Sequence, residues 1–161
     1  MHIKIITIIL LMLSSLVCIG STNASAVFEQ KYLFEAAETD TVPQDFMAIM
    51  PWVKSHPQQS KVSLAGGDYW MVSAFYIADH GGPWSINVKN SIIESVDYWV
   101  IGEDGSQQYN HSGYYAPYDS LFDYARKVEL TKQTNYWLVT RINSRYYSSQ
   151  PKLQLAPYEQ H

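Results

Sequence analysis

From Gln107 to Tyr118 the chain reads Gln-Gln-Tyr-Asn-His-Ser-Gly-Tyr-Tyr-Ala-Pro-Tyr, and most of its chemical potential lies there. Aromatic rings stack on the C–H faces of sugars, while amides, hydroxyls and imidazoles exchange hydrogen bonds with hydroxyl groups. Gly113 and Pro117 make a loop of the segment, and loops carried on a rigid scaffold are where binding residues gather. Tyr114, Tyr115, Tyr118 and His111 are therefore candidate ligand contacts; the competing expectation is tyrosines packed over a sheet edge with their tips in water. Arg126 and Arg141 stand in strand-like stretches with apolar neighbours at alternate positions. A guanidinium so placed can fork onto a ligand, or onto a structural carboxylate across a sheet.

Covalent chemistry has little support. No G-x-S-x-G elbow occurs, and the single cysteine is Cys18. His56, His80, His111 and His161 show neither H-x-x-x-H nor H-E-x-x-H spacing, so no zinc site and no cofactor are expected. Calcium held by carbonyls and carboxylates leaves a weak trace in sequence and stays open. Glu103 and Asp104 fall in Gly102-Glu103-Asp104-Gly105, where acidic residues serve turn geometry. These residues describe a protein that binds, not an enzyme.

Residues 1–26 carry a separate message. Lys4, an apolar run from Ile5 to Ile19, and a small-residue end at Ala24-Ser25-Ala26 have the build of a secretory signal peptide. The run is shorter than the roughly 20 residues a membrane-spanning helix needs, and no later stretch approaches it. Cleavage after Ala26 would give a periplasmic or secreted chain with no membrane span of its own. Leu16-Val17 precede Cys18 where a lipoprotein would carry a small residue, which argues against lipid attachment. Without Lys4, ten basic side chains face fifteen acidic ones, and no basic cluster exists to neutralise phosphates. Nucleic acid is thus excluded as an expected partner.

The remaining sequence is long enough for one domain and must form its core without disulfides. Residues 27–42 read as a lead-in strand or loop, and 43–161 as the domain proper. Pro43 to Met50 looks like one or two helical turns capped by Thr41 and stopped by Pro51. From Asp68 to Ile77 both alternating faces are apolar, which predicts a strand covered on each side. Half-buried strands are predicted around Trp84–Val88 and Val96–Val100, with Gln107–Tyr109 a short partner and 110–123 a loop. Tyr124–Leu130, Asn135–Asn143 and Lys152–Ala156 complete the series. Short strands at regular spacing, rich in tyrosine, predict an all-β antiparallel sandwich or barrel with one short N-terminal helix. Trp70, Trp99 and Trp137 read as core or inter-sheet packing, and Asp97 as a partner of backbone or arginine.

Three phrases carry a family resemblance: Gly66-Gly67-Asp68-Tyr69-Trp70-Met71-Val72-Ser73-Ala74-Phe75, Ile93-Glu94-Ser95-Val96-Asp97-Tyr98-Trp99-Val100, and Tyr136-Trp137-Leu138-Val139-Thr140-Arg141-Ile142. In this order they resemble the jelly-roll extracellular sensor domain of bacterial seven-transmembrane receptors with diverse intracellular signalling modules. The likeness covers about residues 40–158. It implies a galactose-binding-like jelly roll that takes a carbohydrate or small metabolite outside the inner membrane. Those receptors continue into seven membrane helices and a signalling module, whereas this sequence ends at His161. The expectation is a sensor that works with a seven-transmembrane signalling partner. The alternative is a secreted carbohydrate-binding or adhesion accessory module without a signalling role.

Overall fold

The computed structural model describes residues 28–89, 92–117 and 124–158. They form β1 (Phe28–Glu35), α1 (Phe46–Lys54), β2 (Gly67–Ile77), β3 (Gly82–Lys89), β4 (Ser95–Gly102), β5 (Gln107–Ser112), β6 (Arg126–Leu130), β7 (Thr134–Ser144) and β8 (Lys152–Pro157). A five-stranded sheet, ordered β1-β2-β7-β4-β5, packs on a three-stranded sheet, ordered β6-β3-β8. All pairings are antiparallel, and β4 with β5, β3 with β6 and β2 with β7 nest inside one another. A long hairpin rolled into two layers has this nesting, so the sandwich is a jelly roll. The 28–35 segment is its edge strand, paired with β2.

Between the sheets lies the main core, where Phe75 stacks on Tyr136 with ring centres 5.3 Å apart. Tyr98, fully buried, donates its hydroxyl to the Tyr124 carbonyl at 3.0 Å, and burial pushes its phenol above its ordinary range. The Tyr124 hydroxyl in turn accepts the Ile93 N–H at 2.9 Å. Both phenol tips are satisfied by backbone, as a dry interior demands, whereas the buried Thr140 hydroxyl opposite Tyr98 has no hydrogen-bond partner among the described residues.

A second apolar cluster sits on the opposite face of the larger sheet, beneath α1. It joins Ile49 and Val53 of the helix to Phe34, Trp70, Val72, Trp137 and Val139. This explains why β2 and β7 are apolar on both faces. Of the two readings of the tryptophans, core packing holds and inter-sheet packing does not: Trp70 and Trp137 are buried in this outer cluster and Trp99 packs against it.

The helix itself departs from expectation. Asp45, not Thr41, caps it, accepting the Met47 N–H at 2.8 Å, and the helix continues through Pro51 to Lys54. Proline inside a helix costs about 3 kcal/mol through its missing N–H and its ring. Burying two aliphatic side chains completely, Ile49 and Val53, returns roughly 1.5–3 kcal/mol each. Tertiary packing thus outweighs the local stop signal.

Asp40 ties the loop before α1 to the sheet. Its carboxylate accepts the Ala37 N–H at 2.8 Å and the Trp70 indole N–H at 3.1 Å, and lies 3.2 Å from His56 Nε2. Partial burial works to raise its pKa, but these partners together outweigh it and hold the carboxyl below its ordinary value. A depressed folded-state pKa means that the stabilisation is complete above the unfolded value of about 3.9 and is lost as pH falls through the lower folded one. Urea unfolding of Asp40→Asn is expected to show a loss of about 1 kcal/mol at neutral pH that shrinks towards zero in strong acid. A loss of the same size at both pH values would show that the charge contributes nothing.

Candidate functional site

Antiparallel register brings three loops to one end of the sandwich. Ser95 opposes Asn143, and Val96 opposes Ser112, so β4 begins where β7 and β5 end. The residues just outside these strands (Ile92, Glu94, Tyr114, Tyr115, Arg145 and Tyr146) line a cleft of about 430 Å³. That volume lies within the range of small-molecule sites, roughly 300–1,000 Å³.

Gly113 allows the approach. It holds φ at +136°, and a Cβ there would collide with the Glu94 carbonyl, so the β5–β6 loop lies directly on the β3–β4 loop. The Tyr114 N–H then donates to the Ile93 carbonyl at 2.8 Å, and Ala116 N–H to the Gly113 carbonyl at 3.1 Å. The turn presents Tyr114 and Tyr115 edge to face, with ring centres 5.0 Å apart. Tyr114 is 53%, Tyr115 69% and Tyr146 49% exposed, so their faces are open to a ligand.

One charged pair completes the wall. Arg145 donates through Nε to Glu94 Oε1 at 2.6 Å, and its Nη2 reaches the Tyr115 hydroxyl at 3.4 Å. The bond to Glu94 holds the guanidinium pKa above its ordinary value. Stacking faces beside a fixed donor and acceptor can grip a polyhydroxylated ring from two directions.

The sequence-predicted residues divide among three places. Tyr114 and Tyr115 come together in the cleft, and Tyr118 lies outside the described residues. His111 belongs to β5, which runs on to Ser112, and it points to the outer face of the larger sheet. There its Nδ1 stands 2.8 Å from Asp97 Oδ1, which also accepts the Tyr109 hydroxyl at 2.7 Å. Asp97 therefore bonds two side chains of the neighbouring strand, rather than backbone or arginine. Desolvation and the adjacent Asp97 push the Tyr109 phenol up to about 12, which keeps it a donor.

Arg141 lies on the same outer face. Its Nε and Nη2 fork onto Asp68 at 3.0 and 2.5 Å, and its guanidinium carbon sits 5.4 Å from the Trp70 ring centre. The structural of its two readings describes this geometry. Arg126 fits neither of the two. Only 7% exposed, it donates to the carbonyls of His111 at 2.8 Å, Ala125 at 2.9 Å and Pro117 at 3.2 Å. It braces the loop that carries the tyrosines without facing the cleft.

Sequence reasoning missed Arg145, Glu94 and Tyr146. The available signal was the composition of Ser144-Arg145-Tyr146-Tyr147, a cation among tyrosines at the end of a strand. Elsewhere, Glu103 accepts both the backbone and side-chain N–H groups of Asn135 at 2.9 Å, and Asp104 accepts the Ser106 N–H at 2.9 Å. Asp104 serves the turn, as expected, whereas Glu103 ties the turn to the start of β7. Among the described residues no group of three or more histidines, cysteines, aspartates and glutamates is arranged to hold a metal ion, and no helix is long and apolar enough to cross a membrane. No family model matches the chain, and neither does any curated protein.

Proposed function

We propose that this protein is a non-catalytic, periplasmic ligand-binding module of the receptor-sensor type, taking a carbohydrate or related polyhydroxylated metabolite in the tyrosine cleft. It would pass the binding event to a seven-transmembrane signalling partner. The observation that carries the ligand class is the convergence of three open tyrosines on the Arg145–Glu94 pair. Among the described residues Glu94 is the one carboxylate in the lining, and Arg145 holds it at 2.6 Å. Glycoside hydrolysis by its usual route needs two carboxylates flanking the bond, so this geometry favours holding a sugar over cleaving it. The sensor role draws on the resemblance of the strand phrases and on the jelly roll that carries them.

A thermal-shift screen against neutral sugars, uronic acids and organic acids tests the reading. One saccharide class should raise the melting temperature with saturation. Tyr115→Ala and Arg145→Ala should each weaken that binding by about tenfold, the effect of losing one interface anchor of 1–2 kcal/mol. Both side chains are largely exposed, so melting without ligand should stay within about 2 °C of the parent protein. Saccharide binding unchanged in both variants, or a melting curve that no saccharide moves, would refute the assignment.

A further inference from the structure

The Arg145–Glu94 pair leaves part of each group unused. A guanidinium carries N–H donors on two edges, and either edge can receive a carboxylate. Glu94 Oε1 takes the side edge, through Nε at 2.6 Å, and the long contact from Nη2 to the Tyr115 hydroxyl, 3.4 Å, adds little. Nη1 and Glu94 Oε2 have no hydrogen-bond partner among the described residues. The two side chains also differ in freedom. Glu94 is 21% exposed, and its main-chain carbonyl lies against Gly113, so it is the fixed member. Arg145 is 77% exposed, which leaves its end edge, Nη1 with Nη2, open at the cleft wall.

These free positions ask for opposite things of a ligand. The end edge of Arg145 presents two parallel N–H donors. A hydroxyl occupies one of them, whereas a carboxylate fills both, in charge-assisted bonds about twice as strong as neutral ones. Glu94 Oε2 needs donors, and ring hydroxyls are donors. Tyr114 and Tyr115 need an apolar ring face. An acid, hydroxyls and a C–H face come together on one rigid ring in a uronic acid. A cationic sugar fits less well. Glu94 is already held by Arg145, so an ammonium group drawn to it would face the guanidinium.

We infer that the tyrosine cleft selects uronic acids among saccharides, with the ligand carboxylate forked on the end edge of Arg145 and ring hydroxyls donating to Glu94. This inference rests on the saccharide reading of the cleft and narrows it. Arg145 and Glu94 cancel in charge, so the preference comes from the shape of the fork and not from a net attraction. Solvent screening at so exposed a guanidinium limits it to about fivefold.

Calorimetric titration of the protein with two sets of three ligands tests the inference. Galactose, galacturonate and its methyl ester share one ring and differ only at the sixth carbon, as do glucose, glucuronate and its methyl ester. In at least one set the uronate should bind about fivefold more tightly than the other two members. Arg145→Lys keeps the charge but has no second edge, because an ammonium that holds Glu94 does not also fork a ligand. The preference should then fall to within about twofold, while a melting temperature within about 2 °C of the parent shows that the variant is folded. A neutral sugar or ester bound as tightly as its uronate would overturn the inference and leave the cleft a sugar site. Tighter binding of galactosamine would also overturn it, because Glu94 would then set the charge preference. So would tighter binding of propionate, since the ring would then go unread. A preference unchanged in Arg145→Lys would place the ligand carboxylate elsewhere and refute the role of the fork. If no member of either set binds, the inference and the saccharide reading fall together.

Discussion

Gly113→Ala should lower the melting temperature by roughly 10 °C and abolish binding in the tyrosine cleft while the protein is still folded. Two costs coincide at this position. The backbone angle of +136° is one that side chains other than glycine's rarely adopt, worth about 1–3 kcal/mol of strain. The added methyl group would also strike the Glu94 carbonyl, and backbone cannot move aside as a flexible side chain can. Relief requires the loop to lift, which breaks the Tyr114 N–H bond to Ile93 and carries Tyr114 and Tyr115 away from Arg145. Gly105→Ala is the control. It has φ at +83° with nothing within 4 Å of the new Cβ, so it should lose only the strain, about 1–2 kcal/mol, and keep its binding. Calorimetry and ligand titration on the two variants decide the point. If Gly113→Ala melted and bound as the parent does, the close approach of the two loops would be disproved, and the cleft with it.

What the sequence reveals and what it hides follow from how each element meets its surroundings. β2 and β7 were legible because apolar residues on both alternating faces mark a strand covered twice. The same feature concealed which face looked into the sandwich. A period of two says only that Trp70 and Tyr69 point apart, and only the position of α1 places the tryptophan outside. β1 was legible only as a strand or a loop, without a choice between them, because it is an edge. Glu29, Lys31 and Glu35 interrupt its pattern, and its register with β2 shifts between Phe28 and Gln30. The end of α1 was misplaced because a proline penalty is local, whereas the burial that overcomes it comes from residues far along the chain.

The candidate site divides in the same way. A tyrosine-rich loop with Gly and Pro announces itself within a dozen residues, so Tyr114 and Tyr115 were visible. Arg145 and Glu94 are 51 residues apart and meet only through the pairing of β4 with β7. Arg126 shows a further limit: a buried cation can be satisfied by three backbone carbonyls, and no side-chain pattern signals that.

The largest loss of stability is expected from Trp70→Ala, and it would show that the outer face is a second core and not a decorated surface. Trp70 is 1% exposed. Its ring meets Trp52 of α1 edge to face at 5.3 Å and Trp99 of β4 at 5.6 Å, and Arg141 lies above it, fixed by Asp68. Its indole N–H reaches Asp40, so the loop before the helix is anchored through the same side chain. Truncating a buried tryptophan costs about 3–5 kcal/mol, and here the cavity would open directly under the helix, whose own length is too short to persist unpacked. Urea unfolding should therefore show a loss near 4 kcal/mol, accompanied by collapse of the near-ultraviolet dichroism of the packed aromatics. Trp70→Phe should recover about half of it, restoring the ring contacts with Trp52 and Trp99 but not the bond to Asp40. A loss under about 1 kcal/mol for the alanine variant would mean that α1 merely rests on the sheet. In that case Trp70, Trp99 and Tyr109 would form an open aromatic ledge, and ligand binding would have to be sought there as well as in the tyrosine cleft.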